Sequence, residues 1–132
     1  MLLPNIFFKH IIQYPMILVK YKGEIIGFLS LETGRVLKIT EDLGRVNFIN
    51  SACIAREFRK EGLLKDLIRY VERMLPEELE LPYIICKTTE NNTMLNKQLK
   101  LLGYREKVVI DTREEYGANT IYYFKLAKRK YS

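Results

Sequence analysis

Between residues 46 and 87 an apolar run, a short basic loop with one glycine, an amphipathic helix and a second apolar run follow one another directly. The first run, residues 46–55, alternates Val46, Phe48, Asn50, Ala52 and Ile54 with Asn47, Ile49, Ser51, Cys53 and Ala55. Both faces are mostly apolar or small, as in a central strand covered on both sides. After the loop, Leu63, Leu64, Leu67, Ile68, Val71, Met74 and Leu75 recur at helical spacing, and Pro76 closes the helix. Residues 83–87 form the next strand. Strand, helix and strand in that order predict a parallel pair joined by a right-handed crossover. The loop then lies at a helix N-terminus, where backbone N–H groups lack partners and the helix dipole is positive. Gly62 permits close approach to the backbone and Arg59 and Lys60 add countercharge, so this loop predicts a phosphate site. Its wording is neither G-x-G-x-x-G nor G-x-x-x-x-G-K-[ST].

The rest of the chain supplies further strands and one more helix. Residues 7–14 read as a short helix ended by Pro15. Residues 16–21 and 24–31 are rich in β-branched and aromatic side chains, with Lys22-Gly23 between them, the pattern of a tight antiparallel hairpin. Residues 33–44 read as a polar loop with a strand end at 36–39. After the 83–87 strand, residues 88–93 offer several N-caps for a helix that uses Met94, Leu95, Leu99 and Leu102 and stops at Gly103. Residues 108–110 and 121–126 make the last two strands. From Met16 onward the order is β-β-β-α-β-α-β-β, a mixed α/β chain of one domain, residues 1–132.

Composition limits the classes of function. The chain is long enough to bury a core without disulfides or metal, and it holds no apolar run of spanning length and no signal-peptide pattern, so a cytoplasmic protein is expected. Cys53 and Cys86 lie far apart in strand-like segments and read as buried reduced thiols. One histidine, His10, and no paired cysteines argue against a metal site, and His10 reads as structural. The net charge of +6 favours polyanionic ligands. Nucleic acid is disfavoured, because the basic residues are dispersed apart from a tail at Lys125, Lys128, Arg129 and Lys130 that reads as solvated.

Ile54-Ala55-Arg56-Glu57-Phe58-Arg59-Lys60-Glu61-Gly62-Leu63-Leu64 resembles the acyl-CoA loop V-x-P-E-Y-R-G-K-G-I-G of the GNAT superfamily of N-acetyltransferases. Two more segments match that family in the right order. Lys22-Gly23-Glu24-Ile25-Ile26-Gly27-Phe28 is similar to its dG-x-iVG hairpin, and Asn92 followed by Leu102-Gly103-Tyr104 is similar to its N-x-x-A-x-x-L-Y-x-x-L-G-F signature. The resemblance implies a mixed, mostly antiparallel twisted sheet with flanking helices and two central parallel strands that splay apart. It implies acetyl-CoA as co-substrate. The pantetheine arm would pair with backbone near Cys53, Ile54 and Ala55, the pyrophosphate would sit on N–H groups from Arg59, Lys60, Glu61 and Gly62 to Leu63 and Leu64, and Asn92 would hold the arm or shape the second helix. Departures are Leu64 and Lys60 at the family's small loop positions, Leu99 at the tyrosine that often protonates the leaving thiolate, and a short N-terminus with no opening strand. That missing strand would expose the edge of residues 16–21, which predicts a homodimer covering it or completing the acceptor site.

Acetyl transfer to an amine needs a deprotonated nitrogen, a polarised thioester carbonyl and release of a thiolate. A backbone N–H near Ile54 is the candidate oxyanion donor. No side chain stands out as base; Glu32 and Glu90 lie near the expected cleft and are weak candidates, and Asn47 and Asn50 would at most hold a water. The expected function is acetyl-CoA-dependent transfer to a primary amine of a small molecule or protein, without a covalent enzyme intermediate. The basic surface mildly disfavours a polycationic acceptor. The alternative is a catalytically weak GNAT-like domain that binds CoA or a protein partner.

Overall fold

Among the described residues, seven strands build one sheet in the order β1-β2-β3-β4-β5-β7-β6. They are β1 (Asn5–Lys9), β2 (Met16–Tyr21), β3 (Glu24–Val36), β4 (Arg45–Ile54), β5 (Tyr83–Thr89), β6 (Arg105–Ile110) and β7 (Thr120–Leu126). This computed structural model describes residues 4–9 and 15–127, with Lys9, Lys60 and Glu61 described by backbone alone. Every neighbouring pair is antiparallel except β4–β5, the parallel pair that the strand–helix–strand order predicts. The Lys22-Gly23 hairpin forms with both turn residues at positive φ, 50° and 81°, the twist that a two-residue connection between antiparallel strands favours.

Helices α1 (Leu63–Arg73) and α2 (Thr93–Leu101) lie on one face of the sheet. Leu63, Leu67, Ile68 and Val71 of α1, with Leu95 and Leu99 of α2, meet Ile17, Val19, Leu29, Leu31, Ile49 and Cys86 there. The opposite face carries a smaller cluster of Val46, Phe48 and Ile85, covered by Leu37 and the 3₁₀ segment Lys38–Leu43. Burying these side chains is worth about 1.5–3 kcal/mol each before the entropy of ordering is subtracted.

Several expectations are corrected. Residues 5–9 are a strand, not the start of a helix, because Ile6 and Phe8 alternate with Phe7 and pack on the core while β1 pairs with β2 along its whole length. The opening strand is therefore present and the β2 edge is covered, which removes the reason for expecting a homodimer. Residues 10–14, including His10, lie outside the described residues. The polar stretch after Leu31 is not all loop either: β3 runs on to Val36, keeping its pairing to β4 across a bulge between Glu32 and Arg35.

The third correction concerns the phase of β4. Leu31 pairs with Ile49 and Ser30 with Ser51, so Asn50 is an extra residue bulged out of the ladder. Val46 and Phe48 face the small cluster, but beyond Asn50 the pattern flips and Ala52 and Ile54 join Ile49 on the helix face. Cys53 is thereby turned outward and is exposed, while Cys86 is buried as expected. Lys125 is not solvated: its ammonium donates to buried Glu72 at 3.1 Å and to the carbonyl of Leu102 at the end of α2.

Candidate functional site

The parallel pairing of β4 and β5 spans only Asn47↔Ile84, Phe48↔Ile85 and Ile49↔Cys86. Both strands continue past it, β4 to Ile54 and β5 to Thr89, so their facing edges part. On its other edge β4 stays bound to β3, and Ala55 N–H donates to the carbonyl of Ile26 at 2.7 Å. Backbone groups alternate sides along a strand, so the N–H groups of Ala52 and Ile54 point into the gap. This edge can accept an extended ligand as if it were another strand. The groove there has a volume of about 270 Å³ and is lined by Ala52, Cys53, Ile54, Arg59, Leu64, Asn92, Met94 and Leu95.

The groove leads to the loop and the start of α1. Arg56–Glu61 forms a 3₁₀ turn, and Gly62, at φ 73° and ψ 14°, reverses the chain into α1 in a left-handed conformation that favours glycine. Phe58 anchors the turn, packing on the core with its ring 5.6 Å from that of Tyr21. The first i→i−4 bond of α1 is Asp66 N–H to Gly62 C=O, at 3.2 Å, and no side chain caps the helix. The amides of Leu63, Leu64 and Lys65 thus lack helical acceptors, the arrangement by which a helix start can take an anion through backbone alone. A Cβ at Gly62 would meet nothing within 4 Å, so the approach is open.

The side chains named from sequence divide into those the groove brings together and those it does not. Cys53, Ile54, Arg59, Leu64 and Asn92 line it; Ala55 lies at the end of its β4 wall, and Leu63 is a core residue that offers only its amide. Leu64 packs partly on the core and does not block the loop. Arg59 Nε donates to Ile54 C=O at 3.0 Å, so this cation ties the turn to the strand end and leaves its terminal nitrogens for a ligand. Lys60 and Glu61 contribute the backbone of the turn. Asn92 caps α2, its Oδ1 accepting from Leu95 N–H at 3.3 Å, and so fixes the helix that forms the far wall. Nothing in the sequence singles out Met94 and Leu95 as groove residues, and the adjacent polar pair Asn50-Ser51 is the one trace of the bulge in a run that otherwise reads as regular alternation.

The two carboxylates proposed as bases are both engaged elsewhere. Glu32 sits on the face away from the helices, opposite Phe48, and accepts from Arg35. Glu90 accepts from Asn119 N–H at 3.0 Å, returns its own N–H to Asn119 C=O, and lines a separate cavity between α2 and the β6–β7 pair. Asn47 is on the helix face, where its amide donates to Leu79 C=O at 2.8 Å. Leu99 is fully buried in the core. Tyr104 is also buried, which together with the nearby Glu72 carboxylate holds its phenol well above the usual range. Among the described residues no cluster of three or more His, Cys, Asp or Glu side chains could hold a metal ion. No helix among them is long and apolar enough to cross a membrane.

The thiols report on this geometry. Burial pushes the Cys86 thiol up to about 12, whereas Cys53 stands exposed in the groove. A chromogenic disulfide reagent should therefore modify Cys53 in the native protein and Cys86 only after unfolding. A ligand in the groove should slow the first reaction. Equal fast reaction of both thiols would contradict the arrangement.

The model of the Acetyltransferase (GNAT) family matches residues 4–104. The chain belongs to this family. The fold agrees with solved GNAT structures at low sequence identity. A GNAT acetyltransferase from Elizabethkingia anophelis, solved with acetyl-CoA bound, superposes with a TM-score of 0.69 at 16% identity, covering 86% of this chain and 76% of its own. One from Bacillus cereus ATCC 10987 gives 0.67 at 19% identity, over 86% of this chain and 71% of its own. The ribosomal-protein-S18-alanine N-acetyltransferase of Escherichia coli gives 0.67 at 12% identity, over 90% and 72%. No curated protein matches the sequence. The GNAT sheet, mostly antiparallel with one parallel pair, is thus the architecture that carries the groove.

Proposed function

We propose that this GNAT protein moves an acetyl group from acetyl-CoA directly to a primary amine on a small molecule or a protein. The observation that carries the reading is the gap between β4 and β5, opening onto the uncapped start of α1. The pantetheine arm would lie along Ala52 to Ile54, and the pyrophosphate would take the amides from Gly62 to Lys65 with help from Arg59. The Ile54 N–H, directed into the gap, would hold the carbonyl oxygen as charge builds on it. The helix face is filled by α1 and α2, so the amine would arrive from the opposite face. Its nitrogen forms the new C–N bond as the C–S bond breaks; one proton leaves the nitrogen and one reaches the departing thiolate. Both candidate carboxylates are engaged, so solvent is the proton carrier we favour.

Two free thiols agree with a reducing, cytoplasmic setting. A homodimer has no bare β2 edge on which to form. A CoA-binding module with weak catalysis is the second reading, favoured by Leu99, a buried side chain with no proton to give at the position that matches the family's tyrosine. Thermal unfolding with acetyl-CoA, CoA or ATP tests the shared premise. At a hundredfold excess over its dissociation constant a ligand adds about 2.7 kcal/mol, and both CoA forms, but not ATP, should raise the midpoint. No shift with either CoA form in a cooperatively melting protein would sink both readings. Turnover of an amine panel then separates enzyme from module.

A further inference from the structure

Lys87 is the first residue of β5 beyond the last β4–β5 pair, Ile49↔Cys86, and so stands where the two strands part. Alternation along β5 puts Ile84 and Cys86 on the helix face and Ile85 and Lys87 on the opposite one, where Lys87 pairs across to Tyr122. Its side chain is exposed, and its ammonium makes no hydrogen bond or ion pair among the described residues. Two ion pairs border this face. Glu32 accepts from Arg35, and Asp42 accepts from Lys107 at 2.6 Å while Lys107 lies over the ring of Phe124. A lysine side chain without a partner thus stands at the mouth through which an acceptor would reach the gap, and the Glu32 and Asp42 carboxylates are already taken.

We infer that Lys87 is a specificity-determining residue that selects an acceptor carrying an anion close to its amine, such as a free amino acid with its carboxylate. This rests on the acetyl transfer proposed above and deepens it. The ammonium would hold the carboxylate on the Tyr122 side and leave the amine toward the gap, whereas an acceptor with a second cation in that place would meet repulsion. Lys87 does not touch the reacting atoms; it places the molecule that does.

The test uses matched acceptors, phenylalanine and phenylalaninamide, with the wild-type protein and with Lys87→Met, alongside calorimetric titration of acetyl-CoA. The expected result is a preference for phenylalanine of about tenfold in kcat/KM in the wild type, carried mainly by KM. In Lys87→Met that preference should vanish with acetyl-CoA affinity unchanged, and Lys87→Arg should restore most of it. Equal use of the two acceptors by the wild type, or a preference that survives Lys87→Met, overturns the inference and leaves acetyl transfer standing. Failure of the wild type to bind acetyl-CoA overturns both.

Discussion

Replacing Gly62 with valine is expected to leave a folded protein that acetyl-CoA no longer stabilises. Gly62 has φ 73° and ψ 14°, a left-handed geometry that costs an L-residue about 1–2 kcal/mol and suits a β-branched one least. A domain with about 5–15 kcal/mol of stability survives that loss. Binding does not, for two reasons. Relief of the strain would re-aim the amides of Leu63 and Leu64, and the new side chain would occupy the open approach in front of them. At an acetyl-CoA concentration that gives the wild type about 2.7 kcal/mol, a hundredfold loss of affinity leaves about 0.4 kcal/mol, a shift close to the noise of a thermal melt. Gly62→Asn separates the two causes, because asparagine tolerates the left-handed region but still fills the space. Its melt in the absence of ligand should stay near that of the wild type while its binding weakens. Wild-type titration curves for Gly62→Val would mean that the phosphates sit somewhere other than the start of α1.

The loop was legible from sequence because its chemistry is local. A strand, a glycine and a helix start are each marked by residues within a few positions of one another, and the site proposed there is built from backbone, so few side chains have to be guessed. The parallel pair followed from element order for the same reason. What was hidden depends on partners distant in sequence. Ile6, Phe7 and Phe8 suit a helix or a strand equally, and only the edge of β2 decides between them. The bulge at Asn50 adds one residue to β4 with no glycine or proline to mark it, only the adjacent polar pair Asn50-Ser51, yet it decides that Cys53 is exposed and that Ile54 is core. Glu90 is close in sequence to the groove and turns from it because Asn119, just before β7 and next to the Thr89↔Thr120 pair, supplies its hydrogen bond.

The same distinction bears on the charges. A net charge of +6 indicates a preference for anions without saying where it acts. In the folded chain several cations are spent on internal partners: Arg35 on Glu32, Lys107 on Asp42, and Lys125 on Glu72 with the carbonyl at the end of α2. Arg59 lines the groove, and Lys87 follows the last β4–β5 pair, where the strands part. Arg59 is beside the helix start and Lys87 beside the opposite face, so one suits the phosphates of the donor and the other an anion on the acceptor.

Restoring the family's tyrosine by Leu99→Tyr is expected to cost stability and to return no activity. Leu99 is fully buried, one turn below Leu95 on the same face of α2, and it is Leu95 that lines the groove. A tyrosine at 99 reaches the groove only by displacing Leu95. Otherwise it adds a ring and a hydroxyl to a packed core, at about 1–3 kcal/mol for the overpacking and a similar amount for a phenol with no partner. Leu99→Ala calibrates the site from the other side: removal of the buried side chain should cost about 2–5 kcal/mol and lower the melting midpoint by roughly ten degrees. Amine turnover, or acetyl-CoA hydrolysis where no amine is accepted, should not rise in Leu99→Tyr. If it does rise, the tyrosine has found the groove, and then the thiolate of CoA leaves beside residue 99 and the proton comes from α2 rather than from solvent.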